Sequence, residues 1–169
     1  MYNFLEGNVS FDCNIDKNLS EWYYGDLYNL MHVIINLLKN AIKYRNSSRA
    51  NKISIHVSLA NAASGLLSAE THHRSPVPPP NYTNPSRPKG SMKDKHIKQK
   101  QLVMISISDI NNHIPKNIKT HLFESFNSTS GSGLGLYICK NIIELHGGTI
   151  HHEFIEPIGN KFIIMLPLE

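Results

Sequence analysis

The chain has 169 residues, 40% of them apolar, with ten His, two Cys and a formal net charge of +4. That length suits one compact domain able to bury a core, and no apolar run reaches the ~18–20 residues of a membrane helix. Met1–Ser10 carries Glu6 and no basic, apolar export signal. Cys13 and Cys139 are too few for a disulfide framework, so a cytoplasmic, reducing setting is expected.

In chain order, Val9, Phe11, Cys13 and Ile15 alternate with polar residues, which predicts a half-buried strand. A helix is predicted from Gly25-Asp26, with Asp26 as N-cap, to about Tyr44. Its apolar residues Leu27, Leu30, Met31, Ile34, Leu37, Leu38, Ala41 and Ile42 recur at three- and four-residue spacing. At about 100° per residue, Asn29, His32, Asn36, Asn40 and Lys43 fall on the opposite face. Ile53, Ile55, Val57 and Leu59 predict a second strand, with Ser54, His56 and Ser58 on its other side.

Residues 60–101 break the pattern. They hold six of the nine prolines and no sustained apolar period, and cannot offset their ordering entropy. A long disordered insertion between two strands is expected there, within one domain spanning 1–169. Residues 70–101 carry net +5 and the remainder net −1, so the basic character belongs to the insertion. Its lysines could touch phosphates, yet Tyr82 stands alone as a stacking residue, which argues against nucleic-acid binding.

Leu102–Ser108 predicts a central strand, Lys116–Leu122 a short helix after Pro115, and the residues after the glycines at 131–135 a helix ending near Leu145-His146, stopped by Gly147-Gly148. Thr149–Ile155 and Lys161–Leu166 predict a closing hairpin around Pro157 and Gly159. This order gives a two-layer α/β sandwich, a mixed sheet with helices packed on one face.

Three motifs carry chemistry. "NLLKNAIKY" (Asn36–Tyr44) sets two amides and an ammonium on one stripe; an Asn carbonyl suits Mg²⁺ and a Lys suits phosphate, although a solvated polar face is equally consistent. Gly131, Gly133 and Gly135 lead into a helix whose N-terminus can meet a phosphate. A lone Gly-x-Gly-x-Gly is weak, and this is neither a Walker loop nor a dinucleotide fingerprint. "ISISDINNHIP" (Ile105–Pro115) ends a strand in Asp109, a carboxylate that could accept from an exocyclic amine or simply close an Asx-turn.

Together these segments resemble the catalytic, ATP-binding domain of sensor histidine kinases, in the GHKL superfamily. "HVIINLLKNAIKY" is similar to the N box, "SISDINNHIP" to the G1 box, "LFESF" (Leu122–Phe126) to the F box, "GSGLGLYICKNIIELHGGTI" to the G2 box with its helix, and "GNKFIIMLP" (Gly159–Pro167) to the closing strand. The resemblance implies ATP and Mg²⁺. Asn40 would ligate the metal, supported by Asn36, and Lys43 would meet phosphate, with Tyr44 packing by the nucleotide. Asp109 would bind the adenine amine, with Asn111 and His113 in the same loop. Phe123 and Phe126 would anchor the lid, and Gly131, Ser132, Gly133, Leu134 and Gly135 would wrap the phosphates.

Asn111 and His113 stand where the G1 box usually has glycines, and both add bulk beside the nucleotide. The lid is short, with four residues between Phe126 and Gly131. No His has the setting of a phosphoacceptor, so the implied partner is a separate histidine-bearing dimerisation domain, and indirectly a response-regulator receiver domain. His72-His73 and His151-His152 read as structural or solvated rather than as zinc ligands. The hydrolytic GHKL ATPases carry a Glu base where this chain has Asn36. Between Trp22 and Ala69 the only acid is Asp26, which favours phosphoryl transfer over hydrolysis. A degenerate docking module of the same fold is the remaining alternative.

Overall fold

A computed structural model describes residues 9–19, 23–46, 48, 50–61, 101–127 and 132–168. The predicted insertion, apart from its end residues, lies outside them, as does Gly131. The elements run β1 (Val9–Ile15), α1 (Leu27–Lys43), β2 (Asn51–Asn61), β3 (Gln101–Asp109), α2 (Lys116–Lys119), α3 (Gly135–Leu145), β4 (Thr149–Phe154) and β5 (Asn160–Pro167).

The five strands form one mixed sheet in the order β1-β2-β3-β5-β4. β1 pairs parallel with β2, and the remaining pairs are antiparallel. The expected sandwich is therefore present, with β3 at its centre. Asn61 lies opposite Gln101, so residues 62–100 connect two adjacent antiparallel strands at neighbouring positions.

The core forms between the helices and one face of the sheet. Val33, Leu37 and Ala41 of α1 and Cys139, Ile142 and Ile143 of α3 pack with Ile53, Ile107, Phe162, Ile164 and Leu166. Burial of these branched and aromatic side chains supplies the main drive for folding. As expected, the Asp26 side chain caps α1 by accepting from the Asn29 N–H at 3.1 Å.

Three sequence expectations need correction. The first strand forms as predicted but is not half-buried: Phe11 is 52% and Ile15 60% exposed, because β1 is an edge strand of the sheet. The buried seam of α1 runs through Val33, Leu37 and Ala41, while Leu27 and Met31 are exposed. The seam is thus rotated toward the amide stripe, and Asn36 and Asn40 are half-buried beside it rather than opposite it. The cause is α3, which packs along α1 and covers that side. The short helix α2 ends at Lys119, and hydrogen-bonded turns carry the chain on to Glu124.

Candidate functional site

A cavity of about 550 Å³ opens between α1, the end of β3, the start of α3 and the start of β5. This volume is within the range of small-molecule sites. Its helical wall carries Asn36, Asn40, Lys43 and Tyr44, and Ser132, Gly133 and Gly135 approach from the α3 side. Its sheet wall carries Asp109, Asn111, His113, Asn160 and Phe162.

On the helical wall, Asn36 reaches across to α3, where its Nδ2 donates to Cys139 Sγ at 3.2 Å. A Cβ on Gly135 would stand 2.8 Å from both the Nδ2 and Oδ1 of Asn36, so glycine lets the helices meet there. Gly133 has φ +68°, and a Cβ on it would come within 2.6 Å of the Phe126 carbonyl carbon. Leu134, the N-cap residue of α3, makes no side-chain cap bond, and the backbone donors and positive dipole end of this helix lie beside the cavity. Burial is the chief influence on the Cys139 thiol and raises its pKa, so this thiol is a core group rather than a nucleophile. Lys43 is exposed, its Nζ 4.9 Å from the centroid of the Tyr44 ring.

The sheet wall is tied together over long sequence distances. Asp109 is 7% exposed, and its Oδ1 accepts from the Asn111 N–H at 2.9 Å and from Asn160 Nδ2 at 3.1 Å. Burial raises its pKa, and the bonds from Asn111 and Asn160 counter that in part. Asn111 is 2% exposed, and its Nδ2 donates to the Ala41 carbonyl at 2.7 Å. That carbonyl belongs to the last turn of α1, where helical partners run out. The side chain standing in place of a glycine therefore caps the helix that carries Asn40. Asn111 Oδ1 is buried without a partner among the described residues. The ring of His113 stacks on Phe154 at 4.5 Å, and its Nε2 lies 3.0 Å from the Ile155 carbonyl.

The structure thus gathers Asn36, Asn40, Lys43, Tyr44, Asp109, Asn111, His113, Ser132, Gly133 and Gly135 around one cavity. Three other expected residues are not in its lining. Phe123 packs edge-on against Phe162 at 6.4 Å, Phe126 is 79% exposed with φ +63°, and Leu134 precedes α3 as its N-cap residue. The lid that Phe126 is expected to anchor lies largely outside the described residues. The central residue that sequence reasoning missed is Asn160. It is 4% exposed and joins Asp109, Asn112, Ile114 and His152. Its only sequence signal is an Asn opening a strand, which is too common to single out.

The donor set suits a nucleoside triphosphate with a hard cation. It offers a neutral carbonyl oxygen at Asn40, a helix N-terminus, an ammonium and a buried carboxylate around one cavity. Among the described residues no cluster of three His, Cys, Asp or Glu could hold a metal by itself. A cation here would share its ligands with phosphate oxygens.

Residues 82–169, more than half the chain, match the HATPase_c family, described as histidine kinase-, DNA gyrase B-, and HSP90-like ATPase. Across 98% of its length the chain is 27% identical to the adaptive-response sensory kinase SasA of Microcystis aeruginosa, of which it covers 34%. It is 39% identical over 74 residues to the sensor histidine kinase YclK of Bacillus subtilis, covering 38% of this chain and 16% of that one. The chain therefore spans about a third or less of these relatives. Among solved structures, the nucleotide-free catalytic domain of the histidine kinase ThkA superimposes with a TM-score of 0.62. The two are 26% identical over 95% of this chain and 81% of that one. Motifs, fold and these likenesses agree: the chain belongs to the HATPase_c family, as a catalytic domain of the sensor histidine kinase kind.

Proposed function

We propose that this domain binds ATP with Mg²⁺ and donates the γ-phosphoryl group to a histidine on a separate dimerisation domain, which then serves a response-regulator receiver domain. The observation that carries this reading is that one cavity is lined by the buried Asp109, by Asn40 and by the N-terminus of α3. Asp109 is held by Asn111 and Asn160 so that the carboxylate accepts from an adenine amine. Asn40 presents its carbonyl to the cation, with Asn36 fixed one turn earlier by Cys139. Lys43 and the backbone around Gly133 and Gly135 hold phosphate oxygens. Mg²⁺, when bound, neutralises charge on the transferring phosphoryl group. The protein's own contribution is positioning and charge.

A hydrolytic reading is disfavoured by the lining of the cavity. Asp109 is the only acid among the lining residues described, and its Oδ1 already accepts two hydrogen bonds. No carboxylate there stands ready to activate water near the helical wall.

Calorimetric titration with ATP and with a non-hydrolysable analogue, with and without Mg²⁺, tests the reading. Saturable, Mg²⁺-strengthened binding is expected. A folded protein that binds nothing at millimolar nucleotide would overturn it and leave a docking module.

A further inference from the structure

We propose that His152 is a positioning residue for nucleotide recognition, acting through Asn160 on Asp109. This rests on the reading of Asp109 as the acceptor for an adenine amine.

His152 lies on β4, outside the lining of the cavity, and the sequence offers it only as half of a His pair. Its Nε2 is 3.1 Å from Asn160 Oδ1. The Asn160 amide leaves no doubt about which atom donates. Its nitrogen faces two groups that only accept, Asp109 Oδ1 at 3.1 Å and the Asn112 carbonyl at 3.0 Å. Its oxygen faces the Ile114 N–H at 3.3 Å and His152 Nε2. Turning the amide over would set oxygen against oxygen and N–H against N–H. Nε2 of His152 therefore carries the hydrogen and donates.

The other ring nitrogen completes the argument. Nδ1 is buried with no partner among the described residues. A lone pair is tolerated there better than an N–H bearing a charge. The ring is wedged against Phe154 at 5.0 Å and Phe162 at 5.1 Å, so it does not turn freely to find water. Lys119 of α2, which sits 4.0 Å over the Phe154 ring, and His113 of the loop after β3 disfavour a positive charge at this ring, and Glu153 on its own strand favours one. Burial is the largest influence and lowers the His152 pKa, outweighing the bond to Asn160 and the charge of Glu153, which raise it. His152 is thus held neutral, in one tautomer, as a fixed donor. It sets the Asn160 amide, and the Asn160 amide sets Asp109.

This arrangement has a pH signature with a definite sign. An unfolded His takes up a proton near pH ~6.5, whereas the folded site resists it. The contribution of His152 to stability is present above about pH 6.5 and is lost as pH falls from there through the lowered folded value.

The test compares His152→Phe, which keeps the aromatic packing without the donor, and His152→Gln, whose amide nitrogen can stand where Nε2 does. ATP and purine riboside triphosphate, which lacks the 6-amino group, serve as probes, with thermal melts of each variant. Expected results are about fivefold weaker ATP binding by H152F, the loss of one supporting hydrogen bond, with purine riboside triphosphate bound as by wild type. H152Q should restore ATP affinity, and its melting temperature should fall less than that of wild type as pH drops below about 6.5, because Gln does not titrate. Equal weakening for both nucleotides, or wild-type ATP affinity in a folded H152F, would overturn the proposal. If H152F fails to fold, H152Q decides through its melting profile: a fall in melting temperature below about pH 6.5 as steep as that of wild type overturns the proposal. A wild-type protein that binds no ATP would instead overturn the reading of the whole site.

Discussion

The two walls of the cavity are built on different physical plans. The helical wall relies on short-range order: Asn36, Asn40 and Lys43 are spaced by one helical turn, and Gly133 and Gly135 stand together before α3. The sheet wall relies on distant partners. Asn111 reaches Ala41 across 70 residues, Asn160 reaches Asp109 across 51, and His113 reaches Ile155 across 42. A wall set by helical spacing needs few side-chain bonds to hold its shape. A wall made where a strand end meets a loop must be stitched, and the stitches here are Asn and His side chains.

The largest effect is expected at the sheet wall. Asp109→Asn should weaken ATP binding by about thirtyfold or more, because a charge-assisted acceptor is replaced by a group that also donates. The same variant should melt higher at pH 7. Burial raises the Asp109 pKa above 3.8, so ionisation costs the folded state stability above that raised value, and the cost is relieved as pH falls toward 3.8. A lower melting temperature would mean that the carboxylate holds the fold together rather than burdening it.

Gly133→Ala tests the helical wall. A side chain there needs both an unfavourable φ and room that the Phe126 backbone occupies, which costs on the order of 1–2 kcal/mol. Mg²⁺-ATP affinity should fall about tenfold, and affinity for purine riboside triphosphate should fall equally. A loss confined to ATP would place Gly133 at the base rather than at the phosphates. A smaller effect is expected for Asn111→Gly, which removes the cap on the Ala41 carbonyl but also the unpartnered Oδ1. Stability should drop by about 1 kcal/mol, a few degrees in melting temperature. An increase would show that the buried oxygen outweighs the cap. The smallest effect is expected on replacing 62–100 by a two-residue turn, since Asn61 and Gln101 already face each other in the ladder. ATP affinity and melting temperature should stay at wild-type values, and loss of either would make the insertion part of the domain.

Much of the fold is written locally. The alternation of Ile53, Ile55 and Val57, the N-cap at Asp26 and the Pro115 and Gly147 breaks each depend on neighbours within a few residues, so pattern and capping rules find them. The candidate helical wall was legible for the same reason. Burial of β1 was not, because alternation reports which residues share a face and not whether anything covers that face. The orientation of α1 escaped for a related reason. Its apolar arc is wide, and only the position of α3 decides which part is buried.

The sequence by itself therefore determined the element order, the mixed α/β architecture and the family, since helical and strand periods and motif spacing are properties of contiguous residues. Tertiary structure alone decided that Asn111 caps α1 instead of merely crowding a glycine's place. It also decided that Asn160 joins Asp109 to His152, and that Phe126 faces outward. Each of these depends on a partner brought near by chain folding across tens of residues, and no local rule of spacing carries that information.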